Sequence, residues 1–118
     1  MADDAPRFEP ELSEEDELFS MANLFPKHTG LPRTVWIGPK GGARHDARIK
    51  VSAHPDRMDL RDAAVVSIRP EPRLLHGELS PSEFEAIAAW VWLNQQILLD
   101  HWNGEIDSFD LAQGLQRI

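Results

Sequence analysis

The chain has 118 residues, no cysteine and a formal net charge of −8. That length suits one domain with one modest core, and the missing thiols exclude disulfides, thiolate metal sites and a cysteine nucleophile. The longest apolar run, Ala86–Leu93, falls far below the roughly 20 residues of a membrane helix, and the acidic start "MADDAPRFEP" is no secretory signal, so a soluble cytoplasmic protein without a membrane partner is expected.

Charge is segregated along the chain. Residues 1–20 carry eight acids against one arginine, residues 21–73 ten Lys/Arg against five acids, and residues 74–118 seven acids against one arginine. A basic middle between acidic ends reads either as an ordinary solvated surface or as a face that meets something negative. The first twenty residues read as a mobile acidic leader, and residues 21–118 as the folded domain. Met21 stands at the charge boundary and fits an alternative start.

From "LSEEDELFSMANLF" a short helix is expected, capped by Ser13, with Leu18, Ala22 and Phe25 on one face. "HTGLP" breaks the chain, and Thr34–Ile37 reads as a first strand. "GPKGG" is turn chemistry. Arg44–Ala53 then alternates with period two: Ala47, Ile49, Val51 and Ala53 inward, Arg44, Asp46, Arg48, Lys50 and Ser52 outward. Ala63–Arg69 is apolar on both faces and reads as a central strand. Pro70 and Pro72 interrupt, and Leu74–Leu79 is a short edge strand.

The strongest local signal lies in "LSPSEF". Ser80 fits the N-cap, Pro81 the first helical position, Glu83 the reciprocal capping position, and Leu79 with Phe84 a hydrophobic staple. The helix is expected to run from Pro81 to Trp102 and to stop at Asn103-Gly104. A short second helix follows, capped by Asp107 or Ser108 and presenting Phe109, Leu111, Leu115 and Ile118. The long helix has two apolar arcs. Phe84, Ile87, Ala88, Val91, Leu98 and Trp102 form the wider one, extended by Trp92 and Leu99. Ala86, Trp90, Leu93 and Ile97 form the second, with Asn94 and His101 dividing the two on one flank. The second arc needs a cover. The C-terminal tail supplies one reading; a homodimer through Trp90, Leu93 and Ile97 is the other.

No constellation points to catalysis. The five histidines (28, 45, 54, 76 and 101) form no H-x-x-x-H or H-E-x-x-H spacing, and neither a serine-nucleophile context nor a phosphate-cradling glycine motif occurs. His45 and Asp46 are adjacent in an expected strand and so project to opposite faces, which places His45 at the rim of the core. No metal or cofactor is expected. The stronger candidate is a basic sheet face made of Arg44, Arg48 and Lys50, with Arg69, Arg73 and Trp36 beside them. Cations with an aromatic on a sheet hold single-stranded nucleic acid in many binders; cations on an exposed sheet also simply deter edge pairing.

The segment "LLHGELSPSEFEAIAAWVWLNQQILLDHWNGEIDSFDLAQGLQRI" resembles the C-terminal half of a class of small bacterial domains of unknown function. Their pattern is a G-x-L strand end, a helix W-x-x-x-N/H-x-x-x-L-L-x-x-W and a closing G-x-I tail; Trp90, Asn94, Leu98, Leu99, Trp102, Gly104, Ile106 and Ile118 fit it. "LPRTVWIGPKGGARHDARIKVS" is similar to the start of one branch. Where some relatives carry P-H-F-H, this chain has "ARHDAR", so no metal role carries over. Some members are encoded beside toxin–antitoxin-like genes, and the resemblance implies a regulatory or complex-forming role.

These readings converge on an α+β domain: a three- or four-stranded, mainly antiparallel sheet packed by one long helix, with a short C-terminal helix. The expected function is non-enzymatic binding of an acidic protein partner on the basic sheet face, a face the chain's own leader also suits. Single-stranded nucleic acid is the alternative ligand, and a metal-dependent hydrolase using His45 the remoter one.

Overall fold

The computed structural model describes residues 22–118. The acidic leader and the Leu18 end of the expected first helix lie outside the described residues. The part of that helix inside them is not helical. Ala22–Leu24 forms a strand, β1, with Ala22 and Leu24 buried and Asn23 exposed. Pro26–Thr29 then makes one helical turn, α1, stopped by Gly30 in the left-handed region at φ 81°.

Val35–Ile37 (β2), Arg48–Val51 (β3), Ala64–Ser67 (β4) and Leu74–His76 (β5) follow. Among the described residues they join β1 in a five-stranded sheet of order β1-β2-β3-β4-β5, every neighbouring pair antiparallel. The sheet therefore has more strands than the three or four expected, because the apolar–polar–apolar triplet Ala22-Asn23-Leu24 pairs with β2 instead of coiling. β4 lies inside the sheet and β5 at its edge.

The expected strand Arg44–Ala53 contracts to Arg48–Val51. At its start, the turn through Gly41 and Gly42 leaves residues 44–46 outside the pairing, and His45 is exposed with its ring 5.6 Å from that of Trp102. It is not at the end of a buried row. At the other end the alternation inverts: Ser52 is buried and Ala53 exposed. Ser52 Oγ accepts hydrogen bonds from the backbone N–H of His54 and of Asp59, both at 3.1 Å, and these turn the chain out of the sheet. Ser67 makes the next corner in the same manner, donating to Glu71 O at 2.7 Å and accepting from Arg73 N at 2.9 Å.

The long helix, α2, spans Pro81–Trp102 as the start signals require. Ser80 Oγ accepts from Glu83 N and Ser80 N donates to Glu83 Oε1, each at 3.1 Å. Asn103 caps the far end and Gly104 takes φ 77°. The last helix, α3, is Ser108–Gly114, capped by Asp107. Of the four apolar residues it was expected to present, Leu111 is buried and Leu115 half-buried, while Phe109 and Ile118 are exposed.

One face of the sheet packs on α2. Val35, Ile37, Ile49, Val51, Ala64 and Val66 meet Ile87, Trp90, Val91, Leu98 and Trp102 in a single core. The two arcs of the helix are not separate. Asn94 and His101, placed by periodicity on a dividing flank, are 3% and 2% exposed and lie at the centre of one broad buried face. The tail makes this possible. Asn94 Nδ2 donates to Gln116 O at 3.0 Å and to Trp90 O at 3.0 Å, and Asn94 Oδ1 accepts from Gln116 N at 2.8 Å. The chain then reaches α1, where Ile118 N donates to Thr29 O at 2.9 Å. Among the described residues no helix is long and apolar enough to cross a membrane.

Asn94→Ala removes all three of these amide bonds and leaves the Gln116 backbone without its partners. A loss of about 2 kcal/mol of unfolding free energy is expected, read from the urea midpoint at unchanged slope. Stability also has a carboxylate component at the start of α2. The Ser80 backbone N–H, and after it the Arg33 guanidinium 2.6 Å away, hold the Glu83 carboxyl below its ordinary range. A depressed folded value stabilises at neutral pH and is lost as pH falls from the ordinary glutamate range through that value. Across that window Glu83→Gln should lose less stability than the parent in paired urea titrations.

Candidate open sheet face

The sheet face turned away from α2 carries the alternate residues of each strand. Register places Asn23 opposite Trp36, Trp36 opposite Lys50, Lys50 opposite Val65 and Val65 opposite His76, so one row crosses all five strands. Beside it Arg48 stands opposite Ser67. Trp36, Arg48, Lys50 and Val65 are each half-buried, and no helix among the described elements lies on them as α2 lies on the core face.

Trp36 is the centre of this row. Its ring leans along its own strand onto Gly38, where a Cβ would stand 2.6 Å from the ring carbon Cη2. A side chain at position 38 would displace the indole. Lys50 Nζ lies 4.9 Å from the ring centroid, within range of a cation–π attraction. Continuing the β2–β3 register by two residues sets Gly38 level with Arg48, so the indole spans the step between the two cations. Arg48 Nε is buried and makes no hydrogen bond among the described residues.

The other cations of the expected basic face are placed differently. Arg69 stands at the end of the same face but is held by Asp46: its Nε donates to both carboxylate oxygens at 3.0 Å, and Nη2 lies 2.8 Å from Oδ1. The Arg69 hydrogen bond is the main reason the Asp46 carboxyl sits below its usual range. Arg73 is past the Ser67 corner, paired with Glu71 at 3.1 Å. Arg44 is exposed in the loop before β3. Sequence periodicity thus brings Trp36, Arg48 and Lys50 together and leaves Arg44, Arg69 and Arg73 at the margin. It missed Gly38, Val65 and His76, which only the cross-strand register adds.

The surface expected for self-association changes as well. Trp90 is wholly buried inside the monomer. Ile97 lies under α3, its Cδ1 in the space a Cβ on Gly114 would need, so of the three only Leu93 is exposed, next to Trp92.

A concavity of about 350 Å³ opens at the end of α2 between Pro39, His101, Glu105, Asp107 and Asp110. His101 Nε2 lies 3.3 Å from Ser108 Oγ. Asp107 is committed to capping α3, its carboxyl lowered chiefly by the Asp110 backbone N–H. Among the described residues no group of three His, Cys, Asp or Glu is arranged to hold a metal ion. Comparison with family models, with curated proteins and with solved structures returns no match to this chain.

Proposed function

We propose that the open sheet face around Trp36, Arg48 and Lys50 binds an acidic segment of a partner protein. One observation carries this reading: charge is unevenly neutralised. Arg33 is paired with Glu83, Arg61 with Asp59, Arg69 with Asp46 and Arg73 with Glu71, whereas Arg48 and Lys50 make no ion pair among the described residues. Two unneutralised cations two residues apart on one strand face stand about 7 Å apart. Alternate carboxylates of an extended acidic peptide have the same spacing. Trp36 between them supplies apolar area and a rigid wall, the composition that anchors binding patches.

Single-stranded nucleic acid is the second reading, supported by the same indole flanked by cations. It is weaker because Trp36 is the one Phe, Tyr or Trp in the cross-strand row, with only the edge-strand His76 as a further ring, and stacking binders use successive large rings.

A glutamate-rich peptide titrated into the protein at low salt should shift the Trp36 indole N–H resonance and the Lys50 amide. Lys50→Ala and Arg48→Ala should each weaken binding about fivefold while leaving the Trp90 indole resonance in place. An oligothymidylate of equal charge should bind less tightly. Tighter oligonucleotide binding with a steep salt slope would replace the proposal by the nucleic-acid reading.

A further inference from the structure

β5 reaches the open face through an irregularity. Leu74 stands opposite Val66, which is wholly buried in the core under α2, whereas His76 stands opposite Val65 on the open face. In a regular strand, residues two apart share a face. Here Leu75 has no partner on β4, and this bulge turns His76 to the side away from α2. Gly77 keeps it there. The glycine takes φ 82°, and a Cβ on it would stand 2.8 Å from Ala64 Cα and 3.1 Å from Ala63 O, so the end of β5 lies tight against the start of β4.

His76 is therefore the far member of the row that runs through Val65 to Lys50, two strand spacings or about 10 Å from Lys50. Its imidazole is exposed and makes no hydrogen bond or ion pair among the described residues. β4, the one described strand beside it, offers Val65 and no titratable group. The charged residues nearest along the chain are Arg73, held by Glu71, and Glu78, beyond the turn at Gly77. Histidine is the side chain that ordinarily gains its charge between about pH 8 and pH 5. Glutamate carboxylates stay largely ionised over that interval.

We infer that His76 is a third cation of the binding face, taking a carboxylate of the acidic segment beyond those held by Arg48 and Lys50, and that it tightens binding as pH falls below neutral. This rests on reading that face as an acid-binding surface. The sign follows from charge: a protonated imidazole adds one ion pair with the segment, and a neutral one adds none.

The affinity of the full chain for a glutamate-rich peptide, at one low ionic strength, is compared at about pH 6 and about pH 8 with that of His76→Gln. The parent should bind about threefold more tightly at the lower pH, the size of one exposed ion pair. His76→Gln should bind equally at both. In the parent, the peptide should move the His76 ring resonances further at the lower pH, a readout that needs no substitution. Equal affinity of the parent at both pH values, or the same gain in His76→Gln, would overturn the role of His76 and leave the partner site at Arg48 and Lys50 standing. No binding by either protein at either pH would remove the partner reading, and the role of His76 with it.

Discussion

The structure depends on what the amide of Asn94 does inside α2. A polar side chain at the centre of a buried helix face costs free energy unless its donors and acceptor are met. Here the carboxamide meets both backbone groups of Gln116 and a carbonyl of its own helix. The tail is thereby fixed along α2, and Trp90 and Ile97 are enclosed without a second subunit. An apolar residue at position 94 would fill space but would give the tail no register. The amide specifies where residues 115–118 lie, and the core's second half follows from that placement.

With α2, α3 and the tail all on one side, no other described helix lies on the opposite side of the sheet. The strands are short, and the row from Asn23 to His76 is thin in apolar area. What distinguishes it is the disposition of charge. At its rim Arg69 and Arg73 are matched by acids at bonding distance, and such exposed pairs contribute little to stability. They do set the local field. Asp46 neutralises Arg69 and Glu71 neutralises Arg73, so on this face the cations without an acid partner among the described residues are Arg48 and Lys50.

Much of this was legible in the residues, for reasons that differ by element. The start of α2 was, because Ser80, Pro81 and Glu83 act within one turn and need nothing from the rest of the chain. The inward set Ala47, Ile49 and Val51 was, since period two is a local property. The ends of β3 were not. Ser52 reads as an outward polar residue until its hydroxyl is seen to accept two backbone N–H groups, from residues two and seven positions further on. Asn94 and His101 failed similarly: polar residues on a helical wheel mark a solvated flank unless a distant segment arrives to bond them. β1 was hidden because three residues carry too little pattern to compete with a helical reading of their neighbours. For the site, the cations of β3 were visible, but which arginines keep their charge unmatched depends on partners 2 to 23 positions away.

The closing bond, Ile118 N to Thr29 O, joins the first helical turn to the final residue, and the carbonyl of Ile118 fills the space a side chain at Gly30 would need. Any side chain at position 30 would meet that carbonyl, so one glycine both stops α1 and lets residue 118 sit against Thr29.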